Sequence, residues 1–249
     1  MNTIENIGIV GAQGDLGSKL VVQVSSAFEN TYAFDTSPNI RQALRGIDPN
    51  LEASVAANQA TIVPTLEEVL DSSTIVHWTA PIESVDTIPR LPESSMLVLH
   101  DSVMNNSLEA ARQLRNNKAV LGQIAVAHCL MNEERTVVVA TDVKETDRVV
   151  EHIKELGLQP ELMSAKEHDI TMAHSQALFA IICKLYRQEL EGYAKRGVLT
   201  PSGQRLLTAM EDNESRWTHT TFATITSNPE ISSVIHSMLE VAEEQSRLR

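Results

Sequence analysis

The sequence predicts an α/β fold, a doubly wound sheet followed by an all-helical C-terminal domain. Three observations carry this prediction. Short apolar runs alternate with amphipathic stretches over residues 1–163. A glycine-rich turn joins the first apolar run to the first amphipathic stretch. Residues 164–249 repeat their apolar positions only at helical spacing.

The elements follow in order. Ile7–Val10 reads as a buried strand, Asp15–Phe28 as a helix with Leu16, Leu20, Val21 and Val24 on one face, and Thr31–Phe34 as a second strand ending at Asp35. This order implies a parallel pair with a right-handed crossover. Thr61–Val63 is a third strand, and Thr65-Leu66-Glu67-Glu68 is a capping box that opens a short helix. Thr74–Trp78 and Met96–Leu99 are the fourth and fifth strands. Asn106–Leu114 is a helix with Asn106 as its N-cap. Val120-Leu121, Val137–Val139 and Glu161–Met163 are expected as further strands, with a helix over Val143–Leu156. Ser164-Ala165-Lys166-Glu167 is a second capping box, opening a long helix with Leu178, Ile181, Ile182 and Leu185 on one face. Thr200-Pro201 and Asn228-Pro229-Glu230 open two more helices. The expected domains are therefore 1–163 and 164–249, and the apolar helical faces of the second are candidates for a homodimer interface.

Composition bounds the function. The chain has 249 residues and a formal net charge of −13, which argues against nucleic acid and anionic membrane as partners. No apolar stretch is long enough for a membrane span, and no signal peptide is visible. Two cysteines, Cys129 and Cys183, give neither a disulfide framework nor a zinc motif, and they fit reduced thiols in a cytoplasmic protein. No His/Asp/Glu group has ligand spacing along the chain, so no metal site is expected.

Gly11-Ala12-Gln13-Gly14-Asp15-Leu16-Gly17 carries the chemistry. The first glycine permits the tight turn after the strand, the second admits a pyrophosphate, and the third brings the helix close to the strand. The helix N-terminus then presents free N–H groups to an anion. Asp35 stands where a ribose-binding acid belongs, and its charge opposes a 2′-phosphate. The expectation is a Rossmann-type site for NAD rather than NADP, built from Gly11, Gln13, Gly14, Asp15, Leu16, Gly17 and Asp35.

Ligands in such sheets lie beyond the carboxyl ends of the strands. There Thr79, Ala80 and Pro81 are candidates for the nicotinamide side. Ser102 follows the fifth strand, where its hydroxyl could reach a substrate; a polar turn is the structural alternative. His128, read as lying in a loop, is a candidate general base, because an imidazole exchanges protons near neutral pH. In the helical part His168, Gln176 and Arg216 are candidates for the substrate; an arginine suits a carboxylate clamp, and a surface ion pair is its alternative.

Two segments together resemble the prephenate dehydrogenase family: the turn Val10–Gly17 and the run Ser164-Ala165-Lys166-Glu167-His168-Asp169, continuing to Gln176-Ala177-Leu178. Val76–Ile82, Ser102-Val103 and Ser227-Asn228-Pro229-Glu230 also look similar. The resemblance implies a nucleotide-binding domain, a helical dimerisation domain and NAD(P)-dependent oxidative decarboxylation of prephenate or arogenate, in tyrosine biosynthesis. It implies a histidine that assists hydride transfer, with His128 nearest the position, and an arginine that holds a carboxylate. The sequence departs from the pattern at three places. Gly122–Leu130 lacks the His-Pro pair, Met104 stands where a lysine is usual, and the arginine slot falls near Ala223, leaving Arg216 two turns earlier. Two alternatives stay open: a relative acting on another carboxylated cyclohexadiene such as 4-amino-4-deoxyprephenate, and a non-catalytic NAD-binding dimer with a regulatory role.

Overall fold

The structure is a computed structural model, described here for residues 5–36, 60–130, 135–144, 146–216 and 219–247. The chain divides into two compact units, Met1–Ala165 and Lys166–Arg249.

The first unit is built on an eight-stranded sheet in the order β3-β2-β1-β4-β5-β6-β7-β8. Its strands are β1 (Asn6–Val10), β2 (Asn30–Phe34), β3 (Thr61–Ile62), β4 (Ile75–Trp78), β5 (Met96–His100), β6 (Gln123–Cys129), β7 (Thr136–Ala140) and β8 (Gln159–Met163). Neighbours run parallel except β6 and β7. The order reverses between β1 and β4, which makes the crevice at their carboxyl ends the ligand position for such sheets.

Strand alternation divides the core into two layers. On one face Ile7, Ile9, Ile75, Met96, Val98, Ala125 and Ala127 pack with Leu20, Val21 and Val24 of α1 (Asp15–Ala27). Val149 and Ile153 of a later helix join that layer. On the other face Val10, Val76, Trp78, Leu97, Leu99 and Val126 pack with α2 (Leu66–Ser72) and α3 (Met104–Asn116). The later helix is α4 (Thr146–Glu155). Thr65 caps α2 as expected, its hydroxyl accepting from the Glu68 N–H at 3.2 Å.

Three local expectations are corrected. Asn106 does not cap its helix: α3 begins two residues earlier, with Val103 in the extended cap position. Val120-Leu121 is no strand but an isolated bridge to Leu91. The strand begins at Gln123, so His128 lies in β6, opposite Val138, and not in a loop. Alanines hid this strand, since they carry little β propensity. Ala127 stands opposite His100, a bulky side chain on the same face of the neighbouring strand.

The second unit is helical: α5 (Ala165–Met172, beginning at the boundary), α6 (Leu178–Lys195), α7 (Pro201–Arg216), α8 (His219–Thr226) and α9 (Ile231–Arg247). The long helix expected from Ser164 is interrupted by a π turn at Ala173–Ala177. From the π turn onward the buried positions are Ala173, Ala177, Ala180, Cys183 and Leu190, whereas Leu185 is 74% exposed. Small side chains therefore line the packed face, and the larger aliphatic ones proposed for it are more open.

Candidate dinucleotide site

The turn between β1 and α1 is held by its own backbone. Gly11 has φ +86°, and a Cβ there would lie 2.5 Å from the Ala80 nitrogen. Only glycine fits such a left-handed, close approach without strain. A Cβ on Gly17 would stand 2.1 Å from the Gly11 carbonyl oxygen and 2.7 Å from the Thr79 hydroxyl. This is the close helix–strand packing that the third glycine permits. Gly11 and Ala12 donate to the Phe34 carbonyl at 3.0 and 3.2 Å, which docks the turn on the end of β2.

Asp35, one residue beyond β2, accepts the Gln13 N–H at 2.9 Å. The acid is thereby fixed beside the turn. On the other side the Thr79 hydroxyl donates to the carbonyls of Val10 and Gly11 at 2.8 and 3.1 Å. Thr79 is thus a brace for the turn. Ala80 packs against the core layer, and Pro81 caps a 3-10 turn over Ile82–Thr87.

The residues fit an anionic dinucleotide on two observations. The N-terminus of α1 has Gly14 as its cap, with no side chain bonded to it, so its amide groups are left for an anion. The Gln13 side-chain nitrogen is buried with no hydrogen-bond partner among the described residues, a donor whose desolvation a ligand oxygen would offset. The side chains of two other residues expected at this site have partners of their own. Asp15 is exposed and pairs with Lys19 at 2.9 Å, one turn on. Leu16 packs against the core layer of α1.

At the carboxyl edge, His100 pairs with Ala127 across β5 and β6. Ser102 and His128 therefore leave the same edge of adjacent strands. Ser102 is half-buried in the bend after β5, and His128 is 8% exposed. In the second unit His168 is fully buried and its Nδ1 lies 2.9 Å from the Asp169 carboxylate. Asn228 ties this pair down, donating to the Asp169 carbonyl at 2.8 Å and accepting from the Glu230 N–H at 2.9 Å. Gln176 is half-buried in the π turn, an element often found at functional positions. Arg216 ends α7; its side chain lies outside the described residues.

Sequence reasoning missed a cluster in the first unit. His77 of β4, His100 of β5 and His152 of α4 form a buried chain: His77 Nδ1 to His100 Nε2 is 2.9 Å, and His77 Nε2 to His152 Nε2 is 2.9 Å. Burial holds His77 well below the ordinary imidazole pKa and His100 at about 4, with His152 nearby adding to both. The only sequence signal was a pair of histidines in otherwise apolar strands, in phase with Ile75 and Val98.

A mostly parallel sheet with a glycine turn at its switch point and helices on both faces defines a Rossmann-type dinucleotide-binding fold. With the helical unit after it, this is the fold of the prephenate and arogenate dehydrogenases. Prephenate dehydrogenase from Aquifex aeolicus, solved in complex with hydroxyphenyl propionate and NAD+, is similar with a TM-score of 0.70 at 16% identity, over 99% of this chain and 91% of that one. Synechocystis arogenate dehydrogenase gives 0.70 at 14% identity, over 98% and 90%. A putative prephenate dehydrogenase from Corynebacterium glutamicum gives 0.74 at 12% identity, over 97% and 81%. No protein-family model and no curated protein matches the sequence.

Proposed function

We propose that this chain is an NAD-dependent dehydrogenase acting on a carboxylated cyclohexadiene, prephenate or arogenate. The observation that carries the reading is the β1–α1 turn: two glycine positions closed to any side chain, an uncapped helix N-terminus and an acid bonded to the turn. The likeness of fold over nearly the whole chain supports the substrate class. When bound, the dinucleotide accepts a hydride. The chain's own part is to hold it through Gly11–Gly17 and Asp35, and to set Ser102 and His128 at the edge where the ring would stand. His128 takes the ring-hydroxyl proton as the hydride leaves, and Ser102 orients the same oxygen. The substrate contacts of His168, Gln176 and Arg216 are proposed on the family resemblance alone. The test is NADH formation with purified protein, NAD and each ring acid; NAD binding without turnover on any of them refutes the reading.

Asp35 gives NAD its preference over NADP in this reading. Asp35→Ala removes a ribose partner and the acceptor of the Gln13 N–H. It is expected to weaken NAD about 10-fold, the scale of one charge-assisted hydrogen bond. Calorimetric titration checks this, and unchanged affinity would remove Asp35 from the site.

The proposal includes a cytoplasmic homodimer formed through the helical unit. Leu185, Tyr186, Leu239 and Val241 are exposed apolar side chains of that unit, which an interface would cover. Sedimentation velocity is expected to give twice the 27.4 kDa chain mass, and Leu185→Glu to shift it toward monomer. A wild-type monomer at micromolar concentration overturns this.

A further inference from the structure

The buried histidine chain ends at the amino side of the sheet, on a group of ligand atoms that the dehydrogenase reading does not use. Glu5 precedes β1, and His152 and Glu155 lie one turn apart on α4. Their ligating atoms all lie within 4.8 Å of one another. We propose that Glu5, His152 and Glu155 bind a divalent transition-metal ion of the Zn2+, Co2+ or Ni2+ class.

Two buried atoms without a hydrogen bond belong to the group, held only by a loose contact with each other. His152 is 2% exposed, and its Nδ1 has no hydrogen-bond partner. Glu5 Oε2 is buried and equally without a hydrogen bond. They face each other at 3.7 Å, too far for a hydrogen bond. A tetrahedral ion with bonds of 2.0–2.1 Å sets its ligand atoms roughly 3.3 Å apart, so the atoms draw in from separations of at most 4.8 Å as the carboxylates turn toward the ion. Glu155 is exposed and supplies the third ligand from the solvent side, leaving a fourth position for water. Arg148 lies 3.7 Å from the other oxygen of Glu5, Oε1, and donates to the Gln123 side chain at 3.1 Å, so it leaves Oε2 for the ion. One imidazole and two carboxylates suit a borderline ion better than Mg2+, which prefers all-oxygen shells.

The chain behind His152 gives the ring what a ligating imidazole needs, a partner for its second nitrogen. With its proton on Nε2, His152 donates to His77 Nε2, and His77 Nδ1 donates to His100 Nε2. Every ring is neutral in that order, and His152 Nδ1 presents a lone pair to the ion.

The experiment titrates ZnCl2 into the full-length protein by calorimetry, with MgCl2 as comparison and 15N spectra of the histidine side chains as second readout. One strong Zn2+ site is expected, with little heat from Mg2+. Glu155→Gln, at an exposed position that leaves the fold intact, is expected to weaken Zn2+ at least ~10-fold. Glu151→Gln, an exposed acid on the same helix, is expected to leave it unchanged. The 15N shift of His152 Nδ1 is expected to move as the ion binds it, with Nε2 keeping its proton. No Zn2+ binding, equal effects of the two variants, or unmoved histidine signals would each overturn the proposal, the last two by marking the ion as adventitious.

Discussion

Gly17→Ala is expected to abolish tight NAD binding and to cost about 1–3 kcal/mol of stability, the range for overpacking a closed site. The added methyl would stand 2.1 Å from the Gly11 carbonyl oxygen, a backbone atom that cannot turn away as a side chain would. Relief requires α1 to move off β1. That withdraws the α1 amide groups from the phosphate position and breaks the packing of Leu20, Val21 and Val24. Stability and cofactor affinity should therefore fall together. Gly192→Ala is the control: it lies in α6 with nothing within 4 Å of the new methyl. There the same substitution is expected to stabilise by about 0.5–1 kcal/mol through helix propensity. Urea unfolding and NAD titration on both variants check the contrast, and a Gly17→Ala protein with wild-type stability and affinity would refute the packing argument.

Acid is expected to unfold the first unit earlier than an ordinary carboxylate-limited protein. His77 and His100 are buried as neutral rings, so their folded pKa values lie below the unfolded value of 6.5. The unfolded chain then binds more protons than the native one as pH falls below 6.5, and stability is lost in that direction. For His100, at about 4 when folded, the window runs from 6.5 down to 4. The loss between pH 7 and 5 is about 2 kcal/mol from that residue alone. His77 adds a loss in the same window, and Glu5, also lowered, adds another below its usual range. Urea midpoints at pH 7 and pH 5 measure this. Equal midpoints would mean that the rings are not held neutral.

Much of the fold was legible because its signals are local. The glycine turn, the cap at Thr65 and the apolar runs of β1, β4, β5 and β7 each follow from adjacent residues. The element that misled was β6, where Ala125 and Ala127 carry little strand signal of their own. Ala127 faces His100 of the neighbouring strand, 27 positions away in the chain, a pairing that adjacent residues do not reveal. The π turn at Ala173–Ala177 likewise has no residue signature, since its helical spacing reads as continuous. At the site, Asp35 was legible by spacing, but its bond to Gln13 and the brace from Thr79 were not, because both join separate strands. The histidine chain was invisible for the same reason: three rings from β4, β5 and α4 meet only in the folded sheet.

The most direct measurement of the central claim is absorbance of NADH when purified protein and NAD are mixed with prephenate, arogenate or 4-amino-4-deoxyprephenate. The account predicts sustained turnover with prephenate or arogenate. His128→Asn should lower kcat by about 100-fold or more, the usual contribution of a general base, with NAD affinity unchanged. NAD that binds at the glycine turn while no ring acid is oxidised, or a His128→Asn chain as active as the wild type, would contradict it.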